Sequence, residues 1–157
     1  MTGTTQWLNA DEMAAWRNHV DCIGALNQAL ETDLAEFGLT LGDYEVLVRL
    51  SEATEHRLRM CDLAAQLRLS PSGLTRRLDG LVKSGVVSRQ PSEADRRVML
   101  AVLTDGGYEL LERAAPHHVA SVRQHFIDQL TVAEVRAIGS AFGKVRTALA
   151  AGQNGCP

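Results

Sequence analysis

The tightest constraint in this chain is a connection of two residues. Residues 60–67, MCDLAAQL, read as one short helix, and only Arg68 and Leu69 separate it from the start of the next. Ser70 can accept the first free N–H groups of a helix. Pro71 fits the first helical position, where its missing N–H costs nothing. The second helix then runs to about Ser84 and stops at Gly85. Leu74, Leu78, Leu81 and Val82 form its buried stripe. That stripe leaves Ser72, Gly73, Thr75, Arg76, Asp79 and Lys83 on the outer side, with Arg77 nearer the edge.

After Gly85, VVSRQ reads as a strand, PSEAD as a turn and RRVMLAVL as a returning strand, a hairpin with a charged, basic tip. Residues 10–37 read as a long helix, with Met13, Trp16, Val20, Ile23, Leu26, Leu30, Leu34 and Phe37 at steps of three and four. Gly38 ends it. Thr40 with Asp43 resembles a capping box that opens a helix through Tyr44, Val46, Leu47 and Leu50. SEATEHR then reads as a polar connection. Thr104 and Asp105 suit the start of a further helix through Leu110, Leu111, Ala114, Val119, Val122 and Phe126, with Pro116 placed to kink it. Thr131 with Glu134 caps a last amphipathic helix carrying Val132, Val135, Ile138, Phe142, Val145 and Leu149. The terminal AGQNGCP reads as a frayed tail.

Two helices, a short turn and a hairpin make a winged helix-turn-helix. The expected fold is mainly α with a small β-wing. The winged domain spans residues 39–104. Residues 1–38 and 105–157 form helices outside it, whose apolar faces need a cover.

At 157 residues, 45% of them hydrophobic, the chain can bury a real core. No run approaches the roughly 18 apolar residues of a membrane span, and no signal peptide is visible at the N-terminus. Cytoplasmic residence is the expectation. Cys22, Cys61 and Cys156 are too few and too scattered for a disulfide framework or a zinc site. His117 and His118 are neighbours on a helix, so their side chains diverge by about 100°; no metal or other cofactor is expected. Glycine-rich phosphate loops, nucleophile elbows, HExxH and paired carboxylates are missing, which argues against an enzyme.

The formal net charge of −3 argues against nucleic acid, but its distribution does not. Nine arginines and lysines lie between Arg57 and Arg97, against only Asp62, Asp79, Glu93 and Asp95. A local anion-binding face follows. A helix fits the major groove of B-DNA. Small residues at its start allow close approach, and hydroxyls and N–H groups there bind phosphate. Arginines in a wing suit the negative potential of the minor groove. The competing explanation for the adjacent arginines alone is a solvated helix face.

The segments GLTLGDYEVLVRLSEA, LRMCDLAAQLRLSPSGLTRRLDGLVKSGVVSRQ and EADRRVMLAVLTDGG resemble the MarR family of bacterial transcription regulators. Asp95-Arg96-Arg97 followed by Leu103-Thr104 is the most distinctive part. The resemblance implies a homodimer, its N- and C-terminal helices interlocked. Its recognition helices would enter successive major grooves of a roughly palindromic operator, about 34 Å apart. It further implies a repressor that a small-molecule effector releases. Ser70, Ser72, Gly73, Thr75 and Arg76 would meet DNA from the helix, and Arg96 and Arg97 from the wing. Arg89 would touch phosphate. Arg77 suits either a DNA contact or a structural role. Asp95 would orient the wing, through an ion pair with Arg77 or a wing arginine.

The family's usual effector pocket lies between the dimer helices and the winged domain, and Trp16, His19, Tyr44 and Arg49 are candidate walls. Cys22 lies in the first helix, where one branch of the family senses peroxide. Its neighbours HVDCIGAL favour a core or interface thiol, and Cys61 is expected in the core. The alternatives to a ligand-released repressor are a cysteine-based redox repressor and a winged-helix protein-interaction module.

Overall fold

The computed structural model describes residues 5–153. Among the described residues, six helices and three strands follow in the order α1 (Ala10–Leu34), α2 (Leu41–Ser51), β1 (Arg57–Arg59), α3 (Met60–Gln66), α4 (Pro71–Lys83), β2 (Val87–Pro91), β3 (Met99–Leu103), α5 (Asp105–His125) and α6 (Val132–Gln153). Short 3-10 turns follow α1, α2 and α5. No helix among the described residues is long and apolar enough to cross a membrane.

Helix starts follow side-chain chemistry. Asn9 and Glu12 close a reciprocal cap on α1, and Thr40 and Asp43 do the same on α2. The Ser70 hydroxyl accepts the N–H of Gly73, with Pro71 at the first position of α4. Thr104 Oγ1 accepts the N–H of Gly107 and donates to the Gly85 carbonyl, joining the start of α5 to the end of α4. Thr131 and Glu134 also close as expected, and the two hydrogen bonds from Thr131 hold the Glu134 carboxyl below its ordinary value. Gly38 and Gly85 adopt φ of 69° and 77°, the left-handed stop that a side chain disfavours. Arg68 takes φ 54° in the turn between α3 and α4, so this tight connection is made without glycine.

The core lies where α2, α3, α4, the sheet and α5 meet. Val46, Leu47, Leu50, Leu63 and Leu78 are fully buried there, with Leu74, Val87, Ala101 and Ala114 around them. Gly107 sits so close to the β2 side of this core that any side chain would strike the Val86 carbonyl.

Several expectations change. The wing is part of a three-stranded antiparallel sheet in the order β1-β3-β2. The third strand starts at Arg57, the last residue of the expected polar connection, and runs to Arg59 just before α3: Arg57 pairs with Val102, and Leu58 with Ala101. Three residues with one apolar side chain carry no readable strand period, and only the partner β3 makes them a strand. β3 begins at Met99, because the preceding residues form the wing turn. Val82 lies on the rim of the α4 stripe and is 36% exposed, whereas Leu74, Leu78 and Leu81 are buried. On α5, Val119 faces outward and Ser121 is buried instead, its hydroxyl bonded to Asp33 of α1. α5 continues through Pro116 as one helix. α6 extends into the expected frayed tail as far as Gln153, and Cys156 lies outside the described residues.

The α1 stripe is buried only at its C-terminal end, by Leu30 and Leu34. Trp16, Val20 and Ile23 on α1 and Phe142, Val145 and Leu149 on α6 stay 44–59% exposed in the single chain.

Candidate nucleic-acid interface

The outer face of α4 begins at its cap. Ser70 and Ser72 are exposed with their hydroxyls 3.2 Å apart, and Gly73 beside them is half-buried. Thr75 is exposed and returns its hydroxyl to the Pro71 carbonyl at 3.0 Å. Arg76 is exposed and has no side-chain hydrogen bond or ion pair among the described residues.

Arg77 and Arg89 are engaged within the chain. The Arg77 guanidinium turns back to α2, donating from Nη1 to Thr40 Oγ1 at 3.1 Å and lying 3.7 Å from Asp43 Oδ1. Arg89 on β2 donates from Nη2 to the Thr75 carbonyl at 2.8 Å and to Asp79 Oδ1 at 2.9 Å. Its Nε is buried without a partner. The residue read as a phosphate contact therefore ties the wing to α4, because strand β2 runs alongside the helix and brings the guanidinium within reach of its backbone.

The wing turn is organised by Asp95, though not by an ion pair. Its carboxylate accepts the backbone N–H of Arg97 at 3.0 Å, and its carbonyl accepts the N–H of Val98 at 2.9 Å. A short acidic side chain bonding the backbone two residues on is a local turn lock. The expected pairing of Asp95 with Arg77 does not form, since Arg77 is held on Asp43. Arg96 and Arg97 stand exposed at the tip, and neither has a side-chain partner among the described residues.

This arrangement has known relatives. The MarR family model matches residues 39–99. AbsC, a MarR family transcriptional regulator from Streptomyces coelicolor, is 42% identical, with a TM-score of 0.88 over 94% of this chain and 99% of that one. The chain belongs to the MarR family. Sco3205, a MarR family regulator from the same organism solved in complex with DNA, is 35% identical at a TM-score of 0.88, over 94% of this chain and 93% of that one. The transcriptional repressor YetL of Bacillus subtilis is 28% identical over 88% of this chain and 84% of its own length. This MarR-family chain is thus a DNA-binding transcriptional regulator of winged helix-turn-helix type, not an enzyme.

The regulator has a groove between α1, α2 and α5, lined by Leu30, Tyr44, Val48, Arg49, Glu52 and His118 among others. Of the four expected walls, Tyr44 and Arg49 line it. Trp16 and His19 do not: the His19 ring lies 5.1 Å from Phe142 of α6 and 6.0 Å from Trp16, further along α1. His118, from α5, is among the lining residues that sequence reading missed. It neighbours His117, which turns to Glu36 in the 3-10 turn after α1 at 3.1 Å. Which of the two faces the groove depends on helix phase, and His118 shares the face of the buried Leu111 and Ala114.

Cys22 and Cys61 are free thiols, both exposed in the single chain. Cys61 was expected in the core. Its place near the start of α3 points it outward, with Sγ 3.7 Å from Asp62 Oδ1, while Leu63 and Ala64 take the buried side.

Proposed function

We propose that this regulator is a homodimeric repressor that binds a pseudo-palindromic operator. The start of α4 would lie in the major groove and the wing arginines in the minor groove. The observation that carries the reading is a division among the arginines. Arg77 and Arg89 are used inside the fold, whereas Arg76, Arg96 and Arg97 are exposed with no side-chain partner among the described residues. Unpaired guanidinium groups on an exposed helix start and an exposed turn are suited to phosphates and base edges. Ser70, Ser72, Gly73 and Thr75 supply close approach beside them. The DNA-bound state of Sco3205 and the repressor name of YetL support the same reading.

A second copy is the natural cover for the apolar residues left open on α1 and α6. Residues 1–38 and 105–157 then form the dimerisation region and residues 39–104 the DNA-binding domain. The groove at Tyr44, Arg49 and His118 is the proposed effector site, since it touches both regions. Binding there would shift the spacing of the two α4 helices.

Fluorescence anisotropy with DNA from the regulator's own upstream region, against a scrambled duplex, tests the reading at several salt concentrations. Selective binding that weakens steeply with salt is expected. Equal, weak binding to both duplexes would point instead to a protein-docking role for the wing.

A further inference from the structure

We infer that Arg77 and Gly42 together form a positioning device for the recognition helix α4, and that Arg77 is not part of the DNA-contacting surface. The inference rests on the DNA-binding reading of α4.

The two adjacent arginines of α4 go to different places. Arg76 points out, and Arg77 reaches back to the first turn of α2. Its partners there, Thr40 and Asp43, are the two members of the α2 capping box. The guanidinium therefore rests on a carboxylate and a hydroxyl whose own positions are fixed by backbone N–H groups. α2 is in turn anchored by Val46, Leu47 and Leu50, all fully buried. Arg77 thus connects the outer face of α4 to a helix whose own apolar face is fully buried in the core.

Gly42 makes the seat possible. A Cβ at residue 42 would lie 2.8 Å from Arg77 Nη2 and closer still to Nη1 and Cζ. The guanidinium head therefore occupies the space that a side chain at residue 42 would fill. Gly42 does not adopt a positive φ, so the backbone itself does not call for glycine. Glycine weakens a helix relative to alanine, and what this position requires is the space.

Leu74, Leu78 and Leu81 pack α4 onto the core along one face. Two arginine links oppose rotation from different elements: Arg77 to α2, and Arg89 from β2 to the Thr75 carbonyl and Asp79. Reading base edges requires side chains held within a fraction of an ångström. A device that sets helix rotation therefore acts on sequence discrimination more than on general attraction to DNA.

The test uses the full-length regulator. Wild-type protein first selects a duplex from a random-sequence pool. Arg77→Ala, Gly42→Ala and the double variant are then titrated against that duplex and a scrambled one over a range of salt. Arg77→Ala is expected to lose about tenfold in affinity for the selected duplex, the scale of one charge-assisted hydrogen bond. Affinity for the scrambled duplex should change by less than about twofold, with the salt slope kept. Gly42→Ala keeps the arginine but unseats it, and meets only the flexible end of a side chain, so it should fold and show the same loss. The double variant should be no worse than Arg77→Ala. A comparable loss on both duplexes with a salt slope shallower by about one would make Arg77 a phosphate contact and overturn the inference. Wild-type affinity in either single variant would overturn it as well. A wild-type chain that selects no sequence would remove the DNA-binding reading, and this inference with it.

Discussion

The imidazole of His118 on α5 lies against the ring of Tyr44 on α2, their centroids 4.3 Å apart. His118 Nδ1 is buried and has no hydrogen-bond partner. Burial pushes the His118 pKa below its ordinary 6.5 and raises that of the Tyr44 hydroxyl. The groups facing the pair across the groove are Glu45, Arg49 and Glu52. The contact joins the helix that leaves the winged domain to the helix at its centre.

That relationship sets a pH dependence. The unfolded chain takes up a proton at the ordinary histidine value of 6.5, and the folded chain only at a lower pH. The stabilisation is complete above 6.5 and is lost as pH falls through the depressed folded value. The thermal midpoint of the wild type should therefore drop more steeply than that of His118→Phe between about pH 7.5 and 5.5. Parallel curves would show that His118 carries no such linkage.

Leu78 and Val82 lie one helical turn apart on α4 and should respond differently. Leu78 is 0% exposed, and Leu78→Ala should cost about 2–5 kcal/mol through the cavity it leaves. Val82 is 36% exposed, and Val82→Ala should cost well under that, about 1 kcal/mol or less. Denaturant titrations of both variants measure the contrast, and equal losses would contradict the observed phase of α4.

At the wing, Arg97→Ala should weaken operator binding by about 1–3 kcal/mol while leaving the thermal midpoint unchanged. Asp95→Ala should act in the same direction with less force, since it frees the Arg97 N–H but keeps the guanidinium. Anisotropy titrations read both. Wild-type affinity for Arg97→Ala would remove the wing from the proposed interface.

The open apolar faces give a further expectation. Phe142 is 48% exposed in the single chain. If a second copy covers it, Phe142→Glu should move the protein from dimer to monomer in sedimentation or size-exclusion measurements. It should also cut operator affinity, because two half-sites would no longer be held by one molecule. A variant that remains dimeric would place the subunit contact elsewhere.

The helix-turn-helix was legible because its signals are local. Ser70 and Pro71 start α4 and Gly85 ends it through backbone chemistry that needs no distant partner. Leu74, Leu78 and Leu81 mark its buried side at helical spacing. The same holds for the caps at Thr40, Thr104 and Thr131. Strand β1 was not legible, because Arg57–Arg59 becomes a strand only through its pairing with β3. Cys61 and Val82 were misplaced because each lies at the edge of a stripe, where one step of helix phase separates core from solvent.

The sequence by itself determined the order of the helices and of the wing hairpin, the basic outer face of α4 and the charged wing, since these follow from side chains acting on their own backbone. Only the tertiary structure decided which arginines are free. Arg76 and Arg77 are adjacent and chemically identical, and so are the heads of Arg89 and Arg97. Arg77 is held because Gly42, Thr40 and Asp43 happen to lie beneath it, and Arg89 because β2 passes the Thr75 carbonyl. Thr40 lies 37 residues from Arg77, and Thr75 lies 14 from Arg89, and a contact across such a distance exists only once the core has brought the elements together.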